Sequence, residues 1–140
     1  MKKLTPNLAV THIPTTVSYY CNVLGFDLRM LVDETMQGFE DTTIDPSKTY
    51  IWAMVGHGDV EIMFQLKSNL EKEIGPLPAA PVLSGTVYME TDDADTYYDR
   101  IKDQAVIHKK PDTAWYGMRE FYVKDPDGYL LGFASMKASS

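Results

Sequence analysis

The chain has 140 residues, 44% of them apolar and 24% charged, with a formal net charge of -7 and an isoelectric point of about 4.8. That length fits one compact domain or two small halves packed as one, and the acidic surface disfavours both nucleic-acid and anionic-membrane partners. A single cysteine, Cys21, leaves no internal disulfide and no cysteine-built zinc site, as a reducing compartment would favour.

The opening MKKLTPNLAVTHIP has only a short apolar run, broken by Thr, His and Pro, so it does not read as a signal peptide. No run is long enough to span a membrane, and the cytoplasm is the expected location. Residues 4–10 read as a strand. Pro14 suits the first turn of the helix that follows, along which Val17, Tyr20, Cys21 and Leu24 recur at helical spacing, and Gly25 is its expected cap. Cys21 is expected to be a small buried apolar residue there. Residues 26–33 read as a strand, and the polar stretch from Glu34 to Lys48 as a loop whose Met36 and Phe39 suit a cavity lid. TYIWAMVG and DVEIMFQ form a hairpin around a turn at His57.

In the stretch 67–83, Pro76, Pro78 and Pro81 rule out a long helix and mark the expected linker. The plan then repeats. GTVYMET is a strand, DDADTYYDRIKD a helix capped by Asp92 or Asp93, AVIHKK a strand, and the remainder a hairpin through the DPDG turn. The expected organisation is one domain over 1–140: a first module over about 4–66, the linker, and a second module over 84–136.

The motifs PNLAV…VSYYCNVLGFDL, DVEIMFQ and WYGMREFYVKDPDGYLLGF run in that order across nearly the whole chain. They resemble the glyoxalase/bleomycin-resistance/dioxygenase superfamily, the vicinal oxygen chelate proteins, and most of all its metal-free bleomycin-resistance-like branch. The resemblance implies an α+β fold of two βαβββ modules, each a curved, cup-like mixed sheet with its helix on the outer face. It also implies a homodimer with ligand cavities between paired modules. Metal-using members hold a divalent ion with side chains from the first and last strands of each module. Matching the motifs puts Thr5, Glu61, Thr86 and Gly132 at those positions, and of these only Glu61 is a competent ligand. His12, His57 and His108 share no ligand spacing, and nucleotide-binding and serine-hydrolase motifs are absent from the sequence. No metal, cofactor or catalytic residue is therefore expected.

Alternation along the strands assigns the faces. With Leu8, Val10, Ile62, Phe64, Val87, Met89, Leu131 and Phe133 against the helices, the cup is lined by Asn7, Glu61, Met63, Tyr88, Glu90 and Gly132. Glu120 joins them if Phe121 and Val123 face the core. Trp115 matches a groove tryptophan of the resistance branch, though Tyr116 separates it from Gly117, where the family more often has Trp directly before Gly. Trp52 is either a cavity wall or ordinary packing. The expected ligand-binding set is thus Trp115, Tyr88, Glu61, Glu90, Asn7, Trp52 and Gly132, the last opening space in the cup or serving as a packing glycine. Acidic groups beside aromatic walls suit a planar or cationic small molecule; the alternative is that these glutamates are solvated or paired with Arg29 or Arg119. The function that follows is sequestration of a small molecule. The rival is a divergent isomerase, lyase or dioxygenase using a divalent metal or a glutamate base.

Overall fold

The structure, a computed structural model, describes residues 1–36, 42–79 and 85–136. Phe39 of the expected lid and Pro81 of the expected linker lie outside them. The chain divides into two compact units, Met1–Pro81 and Val82–Ser140.

The first unit carries strands β1 (Asn7–Val10), β2 (Asp27–Asp33), β3 (Tyr50–His57) and β4 (Val60–Leu66) in the order β1-β4-β3-β2. β1 runs parallel to β4 and the other two pairs are antiparallel. Helix α1 (Ile13–Ser18) connects β1 to β2. Its first turn holds Pro14, whose missing N–H would have had no partner there, and the Thr15 amide donates to Nδ1 of His12 at 3.3 Å. α1 passes into a π-helical turn, Tyr19–Val23, where the Leu24 N–H reaches the Tyr19 carbonyl at 3.2 Å. Gly25 then adopts φ +82°, the left-handed conformation that ends the segment. Ile13, Val17, Tyr20 and Leu24 are buried along this segment. Cys21 is only half-buried, a correction to its expected place in the core. Burial and the nearby Asp27 carboxylate raise its thiol pKa.

The second unit repeats the plan with β5 (Val87–Glu90), β6 (Val106–Thr113), β7 (Met118–Lys124) and β8 (Leu130–Met136) in the order β5-β8-β7-β6. α3 (Ala94–Ile101) follows β5, and Asp93 caps it by accepting from the Thr96 amide at 3.1 Å. β6 reaches further than expected and includes Pro111. The sheet order puts it at an edge, where a missing donor is tolerated. The chain is therefore α+β, with two mixed four-stranded modules.

Each core rests on the same kind of contact. Tyr20 meets Phe64 of β4 with ring centroids 4.7 Å apart, and Tyr97 of α3 meets Phe133 of β8 at 4.8 Å. Tyr20, Phe64, Phe121 and Phe133 are almost wholly removed from water, so these rings supply a large part of each unit's hydrophobic stabilisation.

The expected linker contains a helix, α2 (Lys67–Ile74). Prolines bias only the residues just ahead of them, and KSNLEKEI ends before Pro76, at Gly75 with φ +96°. α2 is tied down by Gln65, whose Nε2 donates to Asn69 at 2.7 Å and to Glu73 at 3.2 Å, and by the Lys67–Glu71 pair at 2.6 Å. Among the described residues no helix is long and apolar enough to cross a membrane.

Candidate ligand-binding site

On the second sheet, register places Tyr88 of β5 beside Gly132 of β8, and Gly132 beside Tyr122 of β7. A Cβ at Gly132 would lie 2.7 Å from Cε1 of Tyr122 and 3.1 Å from Cδ2 of Tyr88. The glycine is buried beneath two phenol rings, so the space expected to open in the cup at this point is filled. Absence of a side chain here admits aromatic neighbours.

One step along lie Ala134 and, beside it on β7, Glu120. Phe121 and Val123 are fully buried, which turns Glu120 to the face away from the helix. Glu120 as a whole is 6% exposed. The Tyr88 hydroxyl donates to its Oε2 at 2.9 Å, and the Tyr116 hydroxyl donates to Oε1 at 2.9 Å and Oε2 at 2.8 Å. Arg119, the adjacent cation, turns to Asp95 at 2.9 Å, and among the described residues no basic side chain pairs with Glu120. Burial and then the Glu120 hydrogen bond push the Tyr88 phenol pKa well up. For Tyr116 the hydrogen bond to Glu120 comes first, and for Tyr122 burial does; both are raised. All three phenols thus stay protonated over the ordinary pH range, and the Tyr88 and Tyr116 hydroxyls act as donors.

Trp115 stands in the turn between β6 and β7, 95% exposed, edge-on to Tyr116 with centroids 5.3 Å apart. Gly117, at φ +92°, closes that turn by donating to the Ala114 carbonyl at 2.9 Å. Tyr88 and Tyr116 remain 44% and 49% exposed, so both rings that donate to the Glu120 carboxyl also meet solvent. Glu90 is exposed at the end of β5 and takes no part in the Glu120 network. Tyr116 and Tyr122 were not in the sequence-derived set. Tyr122 was within reach of strand alternation, two residues beyond Glu120, whereas Tyr116 precedes the strand.

The remaining predicted residues lie on the first unit. Glu61 is half-buried and forms ion pairs with Lys3 and with Arg29, the latter at 3.1 Å. The Arg29 guanidinium lies across Gly56, where a Cβ would collide with it, and also donates to the Gly58 carbonyl at 2.8 Å. Asn7 donates to Gln65 at 2.9 Å, and half-buried Trp52 sits opposite Gln65. Met30, Met54 and Met63 form a cross-strand row beside Asn7.

The four positions that match metal ligands do not fit a divalent ion. Glu61 is already engaged by two cations, Gly132 has no donor and lies under two rings, and Thr5 and Thr86 add only hydroxyls. Among the described residues no group of three or more His, Cys, Asp and Glu side chains is placed to hold a metal.

Two mixed sheets, each with its first strand parallel to its last and each formed from a strand, a helix and three further strands, define a paired βαβββ protein of the vicinal-oxygen-chelate type. The profile of the Glyoxalase/Bleomycin resistance protein/Dioxygenase superfamily matches residues 4–133, and the chain belongs to that superfamily. It is similar to bleomycin resistance proteins of Geobacillus stearothermophilus and Staphylococcus aureus, 26% identical over 137 residues, covering 95% of this chain and 96% of theirs. Among solved structures it resembles a superfamily member from Sphaerobacter thermophilus (TM-score 0.68, 20% identity, 96% of this chain and 97% of that one). It also resembles the bleomycin-binding protein of Streptomyces verticillus complexed with copper(II)-bleomycin (TM-score 0.62, 18% identity, 98% and 99%).

Proposed function

We propose that this protein is a metal-independent small-molecule binder of the bleomycin-resistance type, a cytoplasmic homodimer that sequesters an aromatic ligand without breaking a bond in it. The observation that carries this reading is the exposed Trp115–Tyr116 pair with Tyr88: a large aromatic surface left in water where the other big rings among the described residues are mostly covered. The relatives named for bleomycin resistance and bleomycin binding support it, as does a donor set unsuited to a divalent ion. Sequestration requires a surface and no general acid or nucleophile.

Trp115 fluorescence titrated with bleomycin tests the reading directly. Saturable binding is expected, with recovery of the ligand unaltered. Trp115→Ala is expected to weaken binding about tenfold or more, while leaving the melting temperature nearly unchanged because the side chain touches little. Equal affinity in wild type and variant would remove Trp115 from the site. A thermal scan against divalent metals tests metal independence: a site filled at about a hundred times its dissociation constant would add roughly 2.7 kcal/mol, and no such shift is expected.

A further inference from the structure

The charge of the ligand follows from Glu120. Glu120 is a buried residue whose carboxylate accepts two phenol hydroxyls and, among the described residues, pairs with no basic side chain. Neutral donors satisfy its hydrogen bonds but leave its negative charge uncompensated. Both phenols that donate to it are themselves about half exposed. A phenol that donates to a carboxylate is polarised by it, so the outer ring surface becomes more negative.

We propose that Tyr88 and Tyr116, backed by Glu120, form a seat for an organic cation of dispersed charge, an alkylammonium or guanidinium group held against the two phenol rings. A hard metal ion is a poor occupant, because the carboxylate oxygens are already engaged by the hydroxyls. A weakly hydrated cation is stabilised by ring faces within about 6 Å and gains from the charge behind them without displacing either hydroxyl. Gly132 is part of the construction: it lets Tyr88 and Tyr122 lie close to the sheet, so any side chain there would displace the seat. This inference deepens the sequestration reading, since it specifies the charge of the aromatic ligand that Trp115 would hold.

The test compares benzyltrimethylammonium with neopentylbenzene, its neutral isostere, titrated into the full chain and followed by the NMR shifts of Tyr88 and Tyr116. The cation is expected to bind about tenfold more tightly than the isostere. In Glu120→Gln that preference is expected to fall below about threefold. Tyr116→Leu gives a second arm should the buried substitution fail to fold, because Tyr116 is half exposed; it is expected to lower affinity for the cation more than for the neutral compound, so that the preference falls. Equal binding of cation and isostere by the wild type would overturn the seat, as would full preference retained in either folded variant. The two readings fail separately. Loss of cation preference with Trp115-dependent bleomycin binding intact removes the seat alone. A Glu120-dependent preference with no bleomycin binding removes the bleomycin-type ligand and leaves the cation seat standing.

Discussion

In the first sheet Glu61 lies opposite Gly56, and Arg29 crosses that glycine to reach the carboxylate. In the second sheet the glycine is on the last strand, Gly132 opposite Tyr122, and two phenols lie across it. A missing side chain opens the backbone in both, but the visitor differs. An arginine on the first sheet neutralises a carboxylate within the protein. On the second, tyrosines reach a carboxylate and leave its charge in place. Two modules with one plan have thus been given opposite electrostatic outcomes, and among the described residues the second presents a buried acidic residue behind exposed rings.

The comparison can be broken first at the cores. Phe64→Ala and Phe133→Ala are each expected to cost about 3–5 kcal/mol in urea denaturation, because both rings are buried against a helix tyrosine. A cost below about 1 kcal/mol at either would show that the repeated contact is not a repeated role. Next comes the glycine pair. Gly132→Ala places a methyl against ring carbons of Tyr122 and Tyr88 and is expected to cost about 1–3 kcal/mol. Gly56→Ala first meets the far end of the flexible Arg29 side chain and is expected to cost less than about 1 kcal/mol. The reverse order would mean that the Arg29 pairing is the tighter construction.

Alkaline titration probes the second sheet. Raised phenol pKa values mean that the folded chain holds these protons after the unfolded chain has lost them. The stabilisation is therefore complete below about pH 10, the ordinary tyrosine value, and is lost as pH rises beyond it. Phenolate absorbance should lag behind that of the urea-unfolded chain, and Tyr88→Phe should remove part of the lag. An unchanged lag would place the late-titrating phenol elsewhere. The smallest effect is expected from Glu61→Gln, within about 1 kcal/mol and diminishing with salt, because Lys3 and Arg29 are both partly in solvent.

The face assignments were legible because strand alternation is a local rule. Leu8, Phe64, Leu131 and Phe133 go inward, and Phe121 with Val123 fixes Glu120 on the other side. What fills the space over Gly132 was not legible, because it depends on which residues of β5 and β7 lie alongside, and register is a property of pairs of strands. Tyr116 was missed because it sits in the turn before β7, where alternation does not apply. α2 was not legible because the three prolines constrain only the second half of its segment, while its anchor, the Gln65 side chain, belongs to the preceding strand.

The π-helical turn at Tyr19–Val23 carries one residue more than an α-helical turn would use to span the same rise. Removing a residue from a helix normally rotates everything beyond it by about a third of a turn and takes its buried side chains out of the core. Here the ladder can close from i+5 to i+4 and absorb the loss. A chain lacking Asn22, whose exposed side chain bonds to the Ser18 hydroxyl, should keep Tyr20 and Leu24 in the core. Module 1 thus has slack in its length at its helix, a kind of tolerance that the eight-residue α-helical α3 of module 2 does not share.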